Sequence, residues 1–301
     1  MKISCCWLYA IARYGYPPSI EDTFRALEDV ADMGFKYVEI EAFNIKKNNV
    51  KELHDSRSKI KEAVDNLGLK LINYPIMLPG LLSQDDNVRK YNFELFNIGV
   101  ETASYFGAEM VQLDSFPPSL QFIGETPYEE AIKYGKTFRV KINPAYSWQK
   151  EWDTLINMFS RCCEILKDTG LKLILEPRVG EKITNADAIL RLFDHINNPI
   201  LGAILDTAHM HAQKEIIPLS IEKLGSKIFM VHVADNDGTV NNHNKVGTGT
   251  IDWEGTLMAL KKFNYSGYFA IDIWSEDINK IKNDYIESRN YIEKIGKRIG
   301  I

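Results

Sequence analysis

Four side chains that can bind a metal ion each follow directly on an apolar run in the second half of the sequence. They are Glu176 after LKLIL, Asp206 after LGAIL, His232 after KIFMV and Asp272 after GYFAI. Successive members are 30, 26 and 40 residues apart, about one strand–helix unit each. Three carboxylates and one imidazole suit Mn²⁺, with Mg²⁺, Co²⁺ and Zn²⁺ as alternatives. The pattern therefore predicts one divalent metal ion bound by these four residues.

Other polar and aromatic side chains lie close to these four in sequence or at the ends of earlier apolar runs. The candidates for contact with a substrate are Trp7, Glu41, Asp114, Arg178, His209 and His243. His209 follows Asp206 by three residues, and the guanidinium of Arg178 can pair with a substrate oxyanion or with a carboxylate behind the ligands. Glu39 and Glu41 both stand at the end of the second apolar run, and the later position favours Glu41.

Eight apolar, β-rich runs alternate with amphipathic helical patterns along the chain. The runs are 2–8, 36–41, 70–76, 109–114, 171–176, 201–206, 227–232 and 267–272. Most are nearly continuous in apolar residues, as expected for parallel strands that are buried on both faces. Eight strand–helix units predict a (β/α)8 TIM barrel, whose strand ends bring the four ligands together. A doubly wound sheet is the alternative, but no GxGxxG motif follows the first run, which argues against its nucleotide-binding form.

The spacing of the runs also indicates how the chain is organised. No linker, low-complexity tract or charge block divides it, so residues 1–301 are expected to form a single barrel domain. Capping patterns begin helices at Ser19 and Thr184, and Asp252 is placed to cap another. The longest irregular stretch, 115–148, follows the fourth strand and is rich in aromatic residues. A loop there lies on the catalytic face, so we expect a lid, with a subunit contact as the alternative.

Composition excludes several classes of protein. Hydrophobic residues make up 45% and charged residues 26%, which is typical of a globular chain. The net charge of −5 argues against a nucleic-acid-binding protein. No apolar run reaches 18 residues and the N-terminal segment lacks the pattern of a signal peptide, so we expect a cytoplasmic protein without a membrane partner. The four cysteines form two adjacent pairs without metal-knuckle spacing and are expected to be buried, reduced thiols.

Several of these segments together resemble a known family. LILEP at Glu176, ILDTAHM at 204–210, VHVAD at 231–235 and VGTGTIDW at 246–253 are similar to the xylose isomerase-like barrel superfamily of sugar isomerases and epimerases. The resemblance implies a (β/α)8 barrel, a metal ion held by the four predicted ligands, and contact between His209 and a sugar substrate. It also implies a homo-oligomer, either a dimer or a tetramer.

The resemblance further implies a reaction. The ketose 3-epimerases of the superfamily use the carboxylates of strands five and eight as a paired acid and base, which are Glu176 and Asp272 here. Such an enzyme removes a proton next to a carbonyl group while the metal stabilises the enediolate. Asp272 is a departure, because the epimerases usually have Glu at this position and Asp is one methylene shorter. The shorter side chain can still bind a metal ion, but it reaches less far toward the opposite face of a sugar carbon.

Three other functions remain open from the sequence. The same enolate chemistry serves a dehydratase or lyase acting on a keto-sugar or keto-cyclitol. A nuclease similar to endonuclease IV shares several ligand positions, but Asn241 replaces the Asp of its last motif, and strands three and four supply no His for a multi-zinc centre. A barrel that binds a sugar without converting it is the third.

Overall fold

The structure is a computed structural model that describes residues 1–45, 48–124 and 138–301. Its strands are β1 (Lys2–Cys5), β2 (Tyr37–Glu39), β3 (Ala42–Phe43), β4 (Lys70–Met77), β5 (Met110–Asp114), β6 (Gln121–Ile123), β7 (Arg139–Lys141), β8 (Lys172–Glu176), β9 (Leu201–Asp206), β10 (Ile228–Val233) and β11 (Tyr268–Ile271). Its α-helices are α1 (Leu8–Tyr14), α2 (Ile20–Asp32), α3 (Val50–Asn66), α4 (Asp86–Phe106), α5 (Trp148–Leu166), α6 (Ala186–Ile196), α7 (Thr207–Ala212), α8 (Ile217–Leu224), α9 (Trp253–Lys262) and α10 (Ile281–Ile299). Short 3-10 turns occupy Pro79–Leu82 and Gly225–Lys227.

Eight strands close into a parallel barrel, which confirms the predicted fold class. Their order around the ring is β1, β2, β4, β5, β8, β9, β10 and β11, and β11 pairs with β1 again. The short β3 adds to β4 beyond the end of β2. Each pair is parallel because a helical crossover returns the chain to the same end of the barrel. All carboxyl ends of the barrel strands therefore meet at one face.

The register of the strands sets the height at which the candidate ligands lie. Asp114 on β5 stands opposite Glu176 on β8, and Asp206 on β9 stands opposite His232 on β10. Asp272 comes directly after β11. Because side chains opposite each other on parallel strands point to the same side of the sheet, this register directs the four ligands into the mouth of the barrel.

The apolar core has two parts. The inside of the barrel is filled by Cys6, Ile72, Met110, Ile174, Ile204, Met230, Tyr268 and Ala270. A larger cluster packs the outer faces of the strands against the surrounding helices and includes Trp152, Phe159 and Tyr285. This arrangement explains the nearly continuous apolar runs, because each strand is covered on both faces. None of the described helices is both long and apolar enough to cross a membrane.

Several local signals in the sequence correspond to observed caps, and others need correction. The side chains of Ser19 and Asp252 cap α2 and α9 as predicted. Helix α6 is capped by Asn185 rather than Thr184, because the Asn side chain accepts a hydrogen bond from the first turn. The first strand ends at Cys5 rather than at residue 8, because the residues that follow form α1.

The predicted loop 115–148 is not irregular throughout. Residues 121–123 and 139–141 pair as an antiparallel hairpin formed by β6 and β7. Two of the aromatic residues expected in this loop, Tyr128 and Tyr134, lie outside the described residues. The first part of the loop is buried, since Ser115 and Phe116 are almost completely covered.

Candidate metal centre

Four side chains converge at the mouth of the barrel from β8, β9, β10 and the end of β11. Ligand atoms of Glu176, Asp206, His232 and Asp272 all lie within 4.8 Å of one another, and all four residues are buried. Nδ1 of His232 lies 2.7 Å from Glu176 Oε1, 3.6 Å from Asp272 Oδ2 and 3.9 Å from Asp206 Oδ2. The structure therefore brings together the four residues predicted as metal ligands.

Several polar atoms of this group have no hydrogen-bond partner among the described residues. They are Oδ2 of Asp206 and both ring nitrogens of His232. An unpaired polar atom buried in a protein costs about 1–3 kcal/mol, and Nδ1 of His232 has only ion-pair contacts, the shortest with Glu176, so Asp206 Oδ2 and the His232 ring together indicate a missing partner. Oδ1 of Asp206, in contrast, accepts a hydrogen bond of 2.7 Å from the backbone N–H of His209. That bond fixes the Asp206 carboxylate with its second oxygen directed at the group.

The charge state of His232 reflects the surrounding carboxylates. Burial alone would lower its pKa, but the negative charges of Glu176 and Glu39 outweigh burial and raise the pKa well above its usual value. The same contacts act in the opposite direction on Glu176, whose pKa falls to about 2 despite burial because His232 and Arg178 lie beside it. Glu176 is therefore ionised at neutral pH.

Glu39 is a member of the site that the sequence did not favour. It is completely buried, and its Oε1 lies 3.6 Å from Nε2 of His232. Its Oε2 accepts a 3.1 Å hydrogen bond from Asn73. A carboxylate on the far nitrogen of a histidine ligand fixes the orientation of the ring. The available signal in the sequence was its place near the end of the second apolar run, two residues before Glu41.

Arg178 and Asp114 form a pair beside the centre. Nη1 of Arg178 lies 2.7 Å from Asp114 Oδ2, and its Nε lies 3.6 Å from Glu176 Oε2. Gln112 donates a 3.3 Å hydrogen bond to the same Glu176 oxygen. Asp114 is fully buried beneath Arg178 and does not line the cavity. Asp114 thus holds Arg178 at the cavity wall, and its predicted contact with a substrate stays a prediction.

His209 and His243 lie next to the four ligands. Their rings meet edge to face with centroids 5.1 Å apart, and with Asp206 they form a second group whose ligand atoms lie within 4.8 Å. Nδ1 of His209 accepts a hydrogen bond from Val179 N at 3.2 Å, so the ring proton belongs on Nε2. Nδ1 of His243 lies 3.1 Å from Asp272 Oδ2. Burial and His243 keep the pKa of His209 well below its usual value, which makes it a neutral donor.

A cavity of about 1050 Å³ opens above the centre. Of the predicted site residues, its walls include Trp7, Glu41, Glu176, Arg178, His209, His232, His243 and Asp272. Tyr16, Trp274 and Glu276, which the sequence prediction omitted, line it as well.

Burial and the charge of Asp114 raise the pKa of Glu41 to about 8, so its carboxyl carries a proton at neutral pH.

Asp235 organises the segment that carries His243. Its Oδ2 accepts hydrogen bonds of 2.9 Å from Gly247 N and from the indole N–H of Trp253. Its Oδ1 accepts from Asn236 N at 2.9 Å and from Ile251 N at 3.4 Å. The VHVAD and VGTGTIDW motifs are thus two halves of one hydrogen-bonded unit.

A buried clamp joins the loop after β5 to the loop after β8. Oε2 of Glu181 accepts hydrogen bonds from Ser115 N, Ser115 Oγ and Phe116 N at 2.8–2.9 Å. Nζ of Lys182 donates to the carbonyl oxygen of Pro117 at 2.7 Å and lies 3.4 Å from Glu151. These contacts fix the residues on the cavity wall that begin the hairpin loop.

Comparison with known proteins agrees with the observed fold. The family profile of the xylose isomerase-like TIM barrel matches residues 27–295. Fructoselysine 3-epimerase of Escherichia coli O157:H7 is 26% identical over 132 residues, which are 43% of this chain and 48% of that protein. This chain thus spans about half the length of that relative.

Solved structures extend the likeness to the whole barrel. A D-tagatose 3-epimerase-like protein superposes with a TM-score of 0.74 at 20% identity, over 100% of this chain and 98% of that one. The IOLI protein, described with a binding zinc atom, superposes with a TM-score of 0.72 at 17% identity, over 99% of each chain. At these identities the superpositions establish the fold. Since the family profile covers most of its length, the chain belongs to the xylose isomerase-like TIM barrel family.

Proposed function

We propose that this protein is a divalent-metal-dependent sugar isomerase or epimerase that removes a proton next to a carbonyl group. The observation that carries the proposal is the group of Glu176, Asp206, His232 and Asp272, three of which, Glu176, His232 and Asp272, line a cavity large enough for a sugar. The similarity to fructoselysine 3-epimerase and to a D-tagatose 3-epimerase-like protein supports sugars as the substrate class.

The donor set fits a metal ion. Three carboxylates and one imidazole are ligand types that Mn²⁺, Mg²⁺, Co²⁺ and Zn²⁺ accept, and Asp206 Oδ2 and His232 Nδ1 are among the atoms that would bind one. A bound divalent ion would act as a Lewis acid that stabilises negative charge on the substrate oxygens. Glu39 would hold the His232 ring from behind, at the 3.6 Å separation of Nε2 and Oε1.

Glu176 is the proposed base. It is ionised at neutral pH, and its Oε2 is fixed by Gln112 and Arg178 while its Oε1 lies beside His232. A general base must be held within hydrogen-bond reach of the proton that it removes, and these contacts hold the carboxylate at the cavity wall. Asp272 is the proposed group that returns the proton, from the opposite face of the carbon in an epimerase or from the same region in an aldose–ketose isomerase.

The remaining cavity residues are proposed to bind the sugar. His209 donates from Nε2, because its Nδ1 already accepts a hydrogen bond from Val179. The protonated carboxyl of Glu41 donates to a substrate oxygen, and Arg178, held by Asp114, presents the rest of its guanidinium to the cavity. Trp7 supplies an apolar wall and His243 a polar one.

A dehydratase or lyase is the second candidate, because elimination begins with the same proton abstraction. The two reactions differ in product, since elimination releases the β-leaving group and an isomerase or epimerase conserves the formula of its substrate. A mass change of the sugar therefore assigns the reaction to the lyase class.

Metal content and solvent proton exchange test the proposal. Mass spectrometry of the purified protein should find one divalent ion per chain, lost in His232→Ala and kept in His195→Ala, which changes an exposed histidine on α6. Ketoses incubated in deuterated water should then gain deuterium next to the carbonyl. Two or three zinc ions per chain would favour the nuclease, and metal binding without exchange across a ketose panel would favour a binding protein. A chain that takes up no divalent ion refutes the proposal.

A further inference from the structure

The walls of the cavity divide into a polar side and an apolar side. The loops after β8, β9 and β10 supply the polar side, with Arg178, His209 and residues 241–244. Strands β1, β2, β4 and β5 follow one another around the rest of the ring. The apolar residues that line the cavity on this side are Cys6, Trp7, Leu8, Ile11, Tyr16, Ile45, Pro75, Met77, Pro79, Phe116 and Pro117, and the polar ones are Glu39, Glu41 and Gln112. Trp274 follows β11, which pairs with β1, and extends the apolar side.

Three large side chains of the apolar side remain in contact with water. Tyr16 is 42% exposed, Ile45 is 40% exposed and Trp274 is 46% exposed, although all three line the cavity. Apolar surface that is concentrated on one wall of a cavity is typical of a ligand-binding groove. A sugar bound to the polar side leaves this surface in water unless the ligand itself extends over it.

The two aromatic members of this set are held by the framework of the barrel. The ring of Tyr16 packs on Phe43, a fully buried residue of β3, with the centroids 4.7 Å apart. The backbone N–H of Trp274 donates a 2.6 Å hydrogen bond to the carbonyl oxygen of His243. Aromatic side chains that are positioned in advance offer a large contact area at a low cost in conformational entropy.

The cavity is also larger than a free sugar requires. Its volume of about 1050 Å³ reaches the upper end of the range of about 300–1,000 Å³ for pockets that enclose drug-sized ligands. A free ketose is smaller than such a ligand, and its hydroxyl groups match only the polar side of the cavity. The ligand that matches both sides therefore combines a sugar with an apolar group.

We propose that the substrate is a keto-sugar glycoside with an aromatic aglycone, the group attached to the anomeric carbon, and that the aglycone packs against Tyr16 and Trp274. This inference rests on the proposed function, because the sugar must reach the four predicted metal ligands for its proton to be removed. The carbonyl group lies on another carbon of the sugar ring, since the anomeric carbon carries the aglycone. An aromatic aglycone gains ring contacts with Tyr and Trp that a methyl group cannot make.

Paired glycosides test the inference with the metal-loaded full chain. Methyl and phenyl glycosides of glucose, galactose and mannose are oxidised to ring ketones, and deuterium uptake next to the carbonyl is measured in deuterated water. We expect kcat/KM for the phenyl member of the active pair to exceed that for the methyl member at least about ten-fold. Tyr16→Ala and Trp274→Ala should each lower this ratio at least about three-fold. The matched control Tyr105→Ala, which changes a 48% exposed tyrosine of α4, should keep the ratio of the wild type.

The outcomes separate this inference from the proposed function. Exchange into free ketoses without exchange into any glycoside overturns the inference and leaves the proposed function intact. Exchange into neither class of sugar overturns both. A phenyl-to-methyl ratio near one in the wild type, which needs no substituted protein, also overturns the inference. Such a ratio together with a dimer that Trp274→Ala dissociates assigns the exposed rings to a subunit contact instead.

Discussion

Replacing Asp235 with Asn removes the acceptor that joins two segments of the site, 231–235 and 246–253. The carboxylate accepts four hydrogen bonds, two at each oxygen, and the residue is 1% exposed. An amide has one oxygen, so two of the four donors must face its NH₂ group. A hydrogen bond to a charged group contributes about 1.5–3 kcal/mol, so the loss of two predicts about 3–6 kcal/mol less unfolding free energy before relaxation.

Urea unfolding followed by circular dichroism measures this loss. The matched control is Asp237→Asn, which makes the same chemical change at an exposed aspartate two residues along the chain and is expected to leave the midpoint near that of the wild type. The Asp235→Asn protein should also bind substrate more weakly, because the 236–251 segment carries His243 to the cavity wall. A loss below about 1 kcal/mol, within the range of surface substitutions, would refute the hydrogen-bond argument.

Three further changes test other parts of the structure. Glu176→Gln should keep the fold and lower turnover by at least about 10²-fold, measured as sugar conversion at saturating substrate, and a near-normal rate would remove Glu176 as the base. Burial alone would raise the pKa of Asp29, but Lys282 and two tyrosine hydroxyls lower it below its usual 3.8. The stability that ionised Asp29 contributes is therefore fully present above pH 3.8 and is lost as the pH falls through the lowered pKa. At neutral pH the free energy of unfolding of Asp29→Asn should be about 1–2 kcal/mol below that of the wild type, and this difference should shrink in acid unfolding curves. Gly249→Ala places a Cβ 2.3 Å from the carbonyl oxygen of Asn236 and should lower the thermal midpoint, whereas an unchanged midpoint would contradict the close approach.

The barrel and the metal ligands could be predicted from sequence for one physical reason. Parallel strands buried on both faces appear as continuous apolar runs, and the first ligand-type residue that ends each run falls at the mouth of the barrel. Glu176, Asp206, His232 and Asp272 each end such a run, so locating the ends of the runs was sufficient to identify these four residues. Their roles in binding a metal and moving a proton stay predictions.

Glu39 shows why other parts of the site could not be predicted in this way. The second apolar run continues to residue 41, which favours Glu41, but the pairing of β2 with β4 shifts by one residue between Val38 and Glu39. The extra residue is Ile72 on β4, so β2 keeps its alternation and Glu39 points to the same inner face as Tyr37, where it reaches His232. Strand β2 ends at Glu39, two residues before the apolar run does, and no periodic signal in the run marks that end.

The beginning of the first helix gives a second example. Residues 5–8 are all apolar, and nothing among them marks the end of the strand at Cys5. Which of two adjacent cysteines faces the cavity depends on the register between β1 and β11, which only the closed barrel defines.

The clamp formed by Glu181 and Lys182 has a consequence for exchanging parts between related barrels. The side chains of Glu181 and Lys182, in the loop after β8, hold the backbone of residues 115–117. Regular helical structure resumes at Trp148, where α5 begins. The intervening segment is therefore attached at two fixed points that do not depend on its own sequence. A segment of different length and composition can be grafted between those points without disturbing the clamp.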